Sequence, residues 1–426
     1  MKYRIYNVNI LTMEEGRPIF SGEMHVEEDR IVYVGPKPRK KKSKVRYWDR
    51  EIDGKGSLLM PGFKNAHTHS AMTFLRSYAD DLPLDEWLGK MVFPAEAKLT
   101  PDDIYWLSKL AVLEYLSGGI TANMDMYLDQ EALLSASSEM GFRTVSVGNL
   151  NNFSSSLREM EDCYHKYGQK DGLVSYHLGF HAEYTTSKEL LEGVGELAVK
   201  YQAPVFTHNS ETQKEVKECQ QRYGMTPTEL FDSLHIYDYG GGGYHCIWLS
   251  EEDRRIFKER GLSVVSCPAS NAKLASGIAP LHEYKKDGIN LALGTDGPAS
   301  NNGLDLFREM YLAAVLPKLL TEDAACMDAV WVLKAATMGG AKAMGLKESD
   351  ILAKGKKADF ILLDLYQPNM QPVNQIEKNL VYSGNRENVW MSAVDGKILY
   401  EKGNYNVGED PELIYKKANQ ICKRIK

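Results

Sequence analysis

Apolar and polar residues alternate with a period of two near both ends of the chain, and a different rhythm runs between them. In residues 1–58 the alternating pieces are YRIYNVNIL, MHVEEDRIVYVG and EIDGKGSLLMPG, separated by turn residues. KADFILLDL and VWMSAVDGKILYEKG repeat that texture after residue 357. Both arms read as strands, and the simplest arrangement joins them in one small β-sandwich, residues 1–58 with 357–426. The second arm ends in a helical pattern, ELIYKKANQICKRI. Across 59–356 apolar positions instead recur at helical spacing in PDDIYWLSKLAVLEYLSGG, SKELLEGVGELAVKYQ and SEEDRRIFKERG. Short apolar runs lie between such helices: TANMDMY, TVSVGNL, VSYHLGF, PVFTHNS, GYHCIWL, SVVSCPA and NLALGTD. Strand–helix alternation predicts a parallel sheet, and seven or eight units predict a closed (β/α)8 barrel of the TIM type. No Gly-x-Gly-x-x-Gly stands at a strand–helix turn, which removes support for a dinucleotide fold.

Composition narrows the partners more than the fold. The chain has 426 residues, 43% of them hydrophobic, enough for a large core. A barrel absorbs ~250 residues or more as one unit, so this length does not demand several domains. The formal net charge is -7 and the pI is about 5.9. That balance argues against nucleic acid or an anionic membrane as partner and for a small-molecule substrate. The main basic run, KPRKKKSKVR at Lys37–Arg46, is read as a solvated hairpin loop, with a nuclear address or polyanion patch as the alternative. The opening MKYRIYNVNILTM alternates and lacks the continuous apolar core of a signal peptide. No stretch reaches the ~18 apolar residues of a membrane span. Cys163, Cys219, Cys246, Cys267, Cys326 and Cys422 show no paired spacing. They read as free thiols of a reducing cytosol, hence a cytoplasmic location. A homodimer is the default assembly for a soluble enzyme.

Chemistry gathers where a barrel would put it, at the C-terminal ends of strands. His67 and His69 end SLLMPGFKNAHTH, and an H-x-H pair on a strand turns both imidazoles to one face. Two neutral imidazoles on one face can chelate a divalent metal. His208 follows PVFT, with Glu211 three residues on; His245 follows GGGGY; Asp296 follows NLALGT. Any one of these alone is as readily a hydrogen-bonded structural residue. Their conjunction at the ends of different strands is what only a closed barrel would bring to one place.

PGFKNAHTH, THNSE, YHC and GTDG, in that order, resemble the amidohydrolase superfamily, in its branch of aromatic deaminases and chlorohydrolases. DEWL at Asp85–Leu88, CPASN at Cys267–Asn271, GIAPL at Gly277–Leu281, GTDGPASNN at Gly294–Asn302 and KGKKADFILLDL extend the likeness over almost the whole chain. The subgroup most similar is that of S-adenosylhomocysteine/5′-methylthioadenosine deaminases. The resemblance implies one divalent metal, Zn²⁺ by ligand type with Fe²⁺ also fitting, on His67, His69, His208 and Asp296. No lysine stands where two-metal members carry a bridging one. Asp296 would take a proton from the activated water, Glu211 would move one to a ring nitrogen, and His245 would polarise the attacked centre. Trp87 would wall the pocket, while Glu96 and His181 match positions that face a ribose.

This chain also departs from the subgroup. Relatives often carry an arginine near Val147–Leu150 to hold an amino-acid carboxylate, whereas this chain reads SVGNL, with Arg158 only loosely in register with a second such site. Ser266 stands where a histidine is usual. Four glycines before Tyr244 replace an apolar strand, which predicts a weakened strand and extra space. The expectation is a hydrolytic deaminase of an adenosine-type nucleoside: adenosine, 5′-methylthioadenosine or S-adenosylhomocysteine. The enzymatic alternative is a guanine, pterin or cytosine deaminase or a triazine hydrolase. An alternative of another class is a catalytically silent ligand-binding barrel, against which the complete set of site residues speaks.

Overall fold

A computed structural model describes residues 1–38, 47–82, 86–168 and 172–425. Residues 39–46 of the basic run, and Asp85 of the DEWL segment, lie outside the described residues. Eight strands follow one another around a barrel in chain order. They are β1 (Phe63–Thr68), β2 (Ile120–Met126), β3 (Arg143–Val147), β4 (Val174–Gly179), β5 (Val205–Asn209), β6 (Gly241–His245), β7 (Ser263–Ser266) and β8 (Asn290–Leu293). Every neighbouring pair is parallel. The ring is drawn shut beyond β8, where the Asp296 N–H donates to the His67 carbonyl at 3.0 Å and the Thr295 N–H to Asn65 Oδ1 at 2.9 Å. Strands β1, β2, β3 and β5 are buried at every position, as a sheet covered on both faces requires.

The helices start and stop on readable chemistry. Thr100 and Asp103 form a capping box ahead of Pro101–Ser117, and Gly119, at φ +79°, turns the chain out of it into β2. Ser187 caps Lys188–Tyr201, and Ser250 forms a box with Asp253 ahead of Glu251–Glu259. Each of these three helices thus begins at a side chain that takes up an otherwise unpaired N–H.

The two β-rich arms meet in one nine-stranded mixed sheet. Its seam is Leu58–Pro61, parallel to Asn9–Ile10 on one side and antiparallel to Phe360–Leu363 on the other. Tyr3, Ile5, Met24, Val26, Leu59, Phe360, Leu362 and Met391 share a core of their own. The sheet also takes in Lys397–Glu401 and Asn404–Tyr405. The closing helix, Pro411–Ile425, does not join the sheet. It lies on the barrel, where Arg424 pairs with Asp103, and Ile421 and Ile425 pack in one apolar cluster with Phe74, Leu107 and Trp87.

The glycine run corrects an expectation. Gly241–His245 pairs along its whole length with β5 and at Gly242–Tyr244 with β7, so the strand is intact. A Cβ on Gly241 would stand 1.9 Å from the Val205 carbonyl oxygen, and one on Gly242 2.3 Å from that of Ser263. At these two positions the missing side chain opens no space, because neighbouring backbone fills it; at Gly243 the Cys246 Sγ, 2.5 Å from where a Cβ would stand, does the same. All six cysteines are free thiols. No helix among the described residues is long and apolar enough to cross a membrane.

Candidate active site

His67 lies within β1 and His69 one residue beyond it, on the same side of the alternation. His208 is the fourth residue of β5 and His245 the last of β6; Asp296 follows β8. Ligand atoms of His67, His208, His245 and Asp296 all lie within 4.8 Å of one another, and all four residues are buried. His69 joins them: its Nε2 is 3.2 Å from Asp296 Oδ1, against 3.5 Å for His67 Nε2. The sequence-expected ligand set had His69 where this tightest group has His245. All five residues converge on one point at the open end of the barrel.

Hydrogen bonds fix how the rings face. His69 Nδ1 donates to the Met126 carbonyl at 2.6 Å and His208 Nδ1 to the His181 carbonyl at 2.7 Å. Each thereby turns its Nε2 toward the centre, the nitrogen through which a metal would be bound. His67 is fully buried, and neither of its ring nitrogens has a hydrogen-bond partner. Such an unpartnered imidazole is costly unless something else binds it, and a cation at the centre would. The donor set therefore fits one divalent ion. Burial pushes His67 down to about 3, so its ring is neutral at neutral pH. Burial would lower His69 as well, but the Asp296 hydrogen bond and charge outweigh it and push the ring up to about 9. The proton held there is one that a cation would displace. For Asp296, burial raises the carboxyl, yet the neighbouring imidazoles of His67 and His69 overcome it and hold the group well below the usual carboxylate range.

Strain marks the same end of the molecule. Asp296 (φ +59°), His245 (φ +64°), Cys246 (φ +49°) and Ser210 (φ +51°) occupy the left-handed region although none is glycine. Bonds from several elements hold them there. Ser270 Oγ and Ser300 Oγ both donate to Asp296 Oδ2, at 2.6 and 2.7 Å, and the Gly297 N–H donates to Oδ1 at 2.8 Å. His245 Nδ1 donates to Asn271 Oδ1 at 2.7 Å. Glu215 accepts the N–H groups of both Ser210 and Glu211, at 3.0 and 2.8 Å.

Glu211 thus projects from a braced turn. Its Oε2 is 3.9 Å from His245 Nε2, and its Oε1 accepts from Ser276 Oγ at 3.1 Å. Burial raises its carboxyl above the ordinary value, against the opposing charge of His245. A carboxyl whose pKa is lifted toward neutrality can both take and return a proton.

A cavity of about 480 Å³ opens over this centre. His69, Trp87, Glu96, His181, His208, Glu211, His245 and Asp296 all line it, so every sequence-predicted site residue except the more deeply buried His67 reaches one pocket. Burial pushes the Glu96 carboxyl up to about 7, the Tyr127 hydroxyl and His69 pulling the other way, and its Oε1 has no hydrogen-bond partner in the protein. His181 Nδ1 donates to Thr185 Oγ1 at 2.9 Å, leaving Nε2 free to accept. Burial lowers that ring to about 4.

Sequence reasoning missed the wall after β3, where Asn149, Asn151, Phe153 and Ser154 line the same cavity. The only available signal was their place just past a strand end. Asn149 Oδ1 is buried without a partner. Among the described residues lining the cavity there is no lysine or arginine, while three carboxylates are present. Arg158 lies outside it, on the helix Leu157–Tyr167, exposed and 4.0 Å from Asp162. Ser266, in place of a usual histidine, is buried with its hydroxyl unpartnered, and does not line the cavity.

A parallel eight-stranded barrel with a buried His/Asp centre at its C-terminal rim, flanked by a second, terminal sheet, defines a metal-dependent hydrolase architecture. The amidohydrolase family model matches residues 58–399, and the chain belongs to that family. It is 40% identical over 434 residues to a 5-methylthioadenosine/S-adenosylhomocysteine deaminase of Caldanaerobacter subterraneus, covering 100% of this chain and 99% of the relative. It is 37% identical to a 5′-deoxyadenosine deaminase of Methanosarcina mazei, covering 99% and 98%. The crystal structure of an adenosine deaminase from Xanthomonas campestris with bound zinc superposes with a TM-score of 0.93, at 32% identity and 99% and 98% coverage.

Proposed function

We propose that this chain is a metal-dependent aminohydrolase that replaces the ring amino group of an adenosine-type nucleoside with oxygen and releases ammonia. The observation that carries the reading is Glu211: a buried carboxyl of raised pKa, 3.9 Å from His245, in one cavity with Asp296 and His208. The names of the relatives supply the substrate class.

We assign the metal to His67, His69, His208 and Asp296, with zinc as the ion. Bound there, Zn²⁺ would supply a water whose pKa falls from ~15.7 toward ~7. The Asp296 carboxylate, held ionised, accepts the proton of the attacking water. Glu211 delivers its proton to the ring nitrogen beside the attacked carbon. The proton taken up by Asp296 passes to the departing amine, and the hydroxyl proton left on the new oxygen returns to Glu211, so both protons of the water end on the ring nitrogen and on ammonia. His245, its Nδ1 anchored on Asn271, points Nε2 at the oxygen that forms on the ring carbon and stabilises it. Trp87 and Phe93 shield the flat ring from water.

Glu96 and His181 hold the sugar. The unpartnered Oε1 of Glu96 can accept a ribose hydroxyl, and His181 Nε2 can accept another. A site built for hydroxyls is penalised when they are missing, because its own buried groups stay unpaired. Free adenine should therefore show kcat/KM about 10²-fold or more below adenosine or 5′-methylthioadenosine. With no lysine or arginine among the described residues lining the cavity, the carboxylate of S-adenosylhomocysteine gains no ion pair from them, so the two neutral nucleosides should match or exceed it. The test is kcat/KM for adenine, adenosine, 5′-methylthioadenosine, S-adenosylhomocysteine and guanine under one condition. Faster turnover of a free base than of any nucleoside would overturn the sugar assignment.

A further inference from the structure

Asp296 and His245 sit on different loops, yet one buried side chain ties their supports together. Glu309 is fully buried in the helix Leu306–Thr321, outside the cavity. Its Oε2 accepts the Ala269 N–H at 2.9 Å and its Oε1 accepts from Asn301 Nδ2 at 2.7 Å. Ala269 is the second residue of the short helix Pro268–Lys273, which has no side-chain cap of its own. Glu309 supplies from another element the acceptor that a cap would have given.

The two segments it grips are the ones that aim the reacting groups. The first carries Ser270, which donates to Asp296 Oδ2, and Asn271, which accepts from His245 Nδ1. On the second lies Ser300, which donates to the same Oδ2, and Asn301 Nδ2 also donates to the Thr295 carbonyl at 2.6 Å, next to Asp296. With Oδ2 occupied by two serine hydroxyls, Oδ1 is the oxygen left facing His67 and His69. Arg308, the neighbouring residue, donates to the Asn301 carbonyl at 2.9 Å and steadies the same loop.

We infer that Glu309 is a positioning residue for the reaction: one carboxylate sets the relative placement of Asp296 and His245 through Ser270, Ser300 and Asn271. It touches neither substrate nor centre. The geometry requires two acceptors at a fixed reach. Glutamine keeps the reach but sets an amide N–H against one of the two N–H donors; aspartate keeps the acceptors but falls a methylene short.

The proposal rests on the deaminase reading, so the experiment carries a readout independent of turnover. Glu309→Gln and Glu309→Asp would be compared with wild type for kcat and KM on adenosine or 5′-methylthioadenosine, for the rate at which zinc is lost to a chelator, and for Tm. The expected result is a fall in kcat of about 10-fold or more with KM within about threefold, and zinc lost about 10-fold faster, in a variant that still melts cooperatively. A cycle with Ser270→Ala supplies the second test. If Glu309 acts through that serine, the double variant loses clearly less than the product of the single losses. Unchanged kcat and zinc loss with a lowered Tm would overturn the proposal and leave Glu309 a fold residue. Fully multiplicative losses would overturn the route through Ser270. If wild type turns over no nucleoside, the deaminase reading fails, while the zinc-loss comparison still decides whether Glu309 sets the centre.

Discussion

The two ends of the barrel are built from the same eight strands and follow opposite rules. At the N-terminal end, buried charge is answered on all sides. Arg143 opens β3 and donates to Asp359 through Nε at 2.6 Å and Nη2 at 3.1 Å, to Asp395 at 3.1 Å and to the Gly172 carbonyl at 2.8 Å. Lys64 is fully buried beside them, its Nζ on the Gly62 carbonyl and the Thr121 hydroxyl. This end stitches the barrel to the terminal sheet. At the C-terminal end, buried polar atoms are left without partners, on His67, Glu96 and Asn149, and backbone strain collects at Ser210, His245 and Asp296. Strain and unpaired groups persist where binding or catalysis uses them, and satisfied pairs where only stability is at stake.

The largest effect expected from this contrast is metal removal. Stripping the ion should abolish activity, and Zn²⁺ at about one equivalent per chain should restore it. His69→Asn should lose that ion, whereas His245→Asn should keep it and lose rate. Metal analysis of the purified variants is the check. Two tightly held ions would overturn the single-metal assignment, and an ion retained by His69→Asn but lost by His245→Asn would move it to His67, His208, His245 and Asp296.

Next comes Glu211→Gln. It removes the proposed proton carrier and leaves the braced turn, whose bonds run through the backbone to Glu215. kcat should fall by ~10²–10⁴ with zinc content and Tm close to wild type. Turnover within a few-fold of wild type would hand the proton to another group.

How far the sequence could be read follows from the same division. His67, His69, His208, His245 and Asp296 were legible because strand-end position and ligand chemistry are both local properties. The strand–helix rhythm was legible because a sheet covered on both faces needs short apolar runs. Pairing across the chain was not: that Leu58–Pro61 forms the seam between the two arms depends on contacts hundreds of residues apart. The glycine run misled for a related reason. A missing Cβ signals either space or close approach, and only the position of Val205 and Ser263 decides which. Glu309 and Glu215 had no signal at all, being single acids on ordinary amphipathic helices whose role lies in which backbone groups meet them.

The opposite end should respond in stability and not in chemistry. Arg143→Leu leaves Asp359 buried without its partner, and breaking a buried pair in this way costs ~3–5 kcal/mol. Chemical denaturation should show that loss, while kcat of the folded fraction and zinc content stay near wild type. Arg143→Leu with normal stability and reduced kcat would erase the distinction between the ends.

The smallest effect concerns pH and carries a definite sign. Burial raises the Asp359 carboxyl, but the charge and hydrogen bonds of Arg143 outweigh it, and the folded-state pKa lies below the ordinary value. The unfolded chain therefore takes up this proton first as the pH falls. The pair's contribution is complete above the unfolded carboxylate value near 4 and fades as the pH drops through the folded one. Each unit of depression is worth about 1.4 kcal/mol. Tm followed from pH 7 downward should stay level until about pH 5 as far as this pair is concerned, then fall. In Asp359→Asn the whole curve should start lower, because the Arg143 charge is unpaired, and its acid limb should be shallower by this one group. An acid limb of unchanged slope would show that Asp359 titrates alike in both states, and that Arg143 holds it by shape and not by charge.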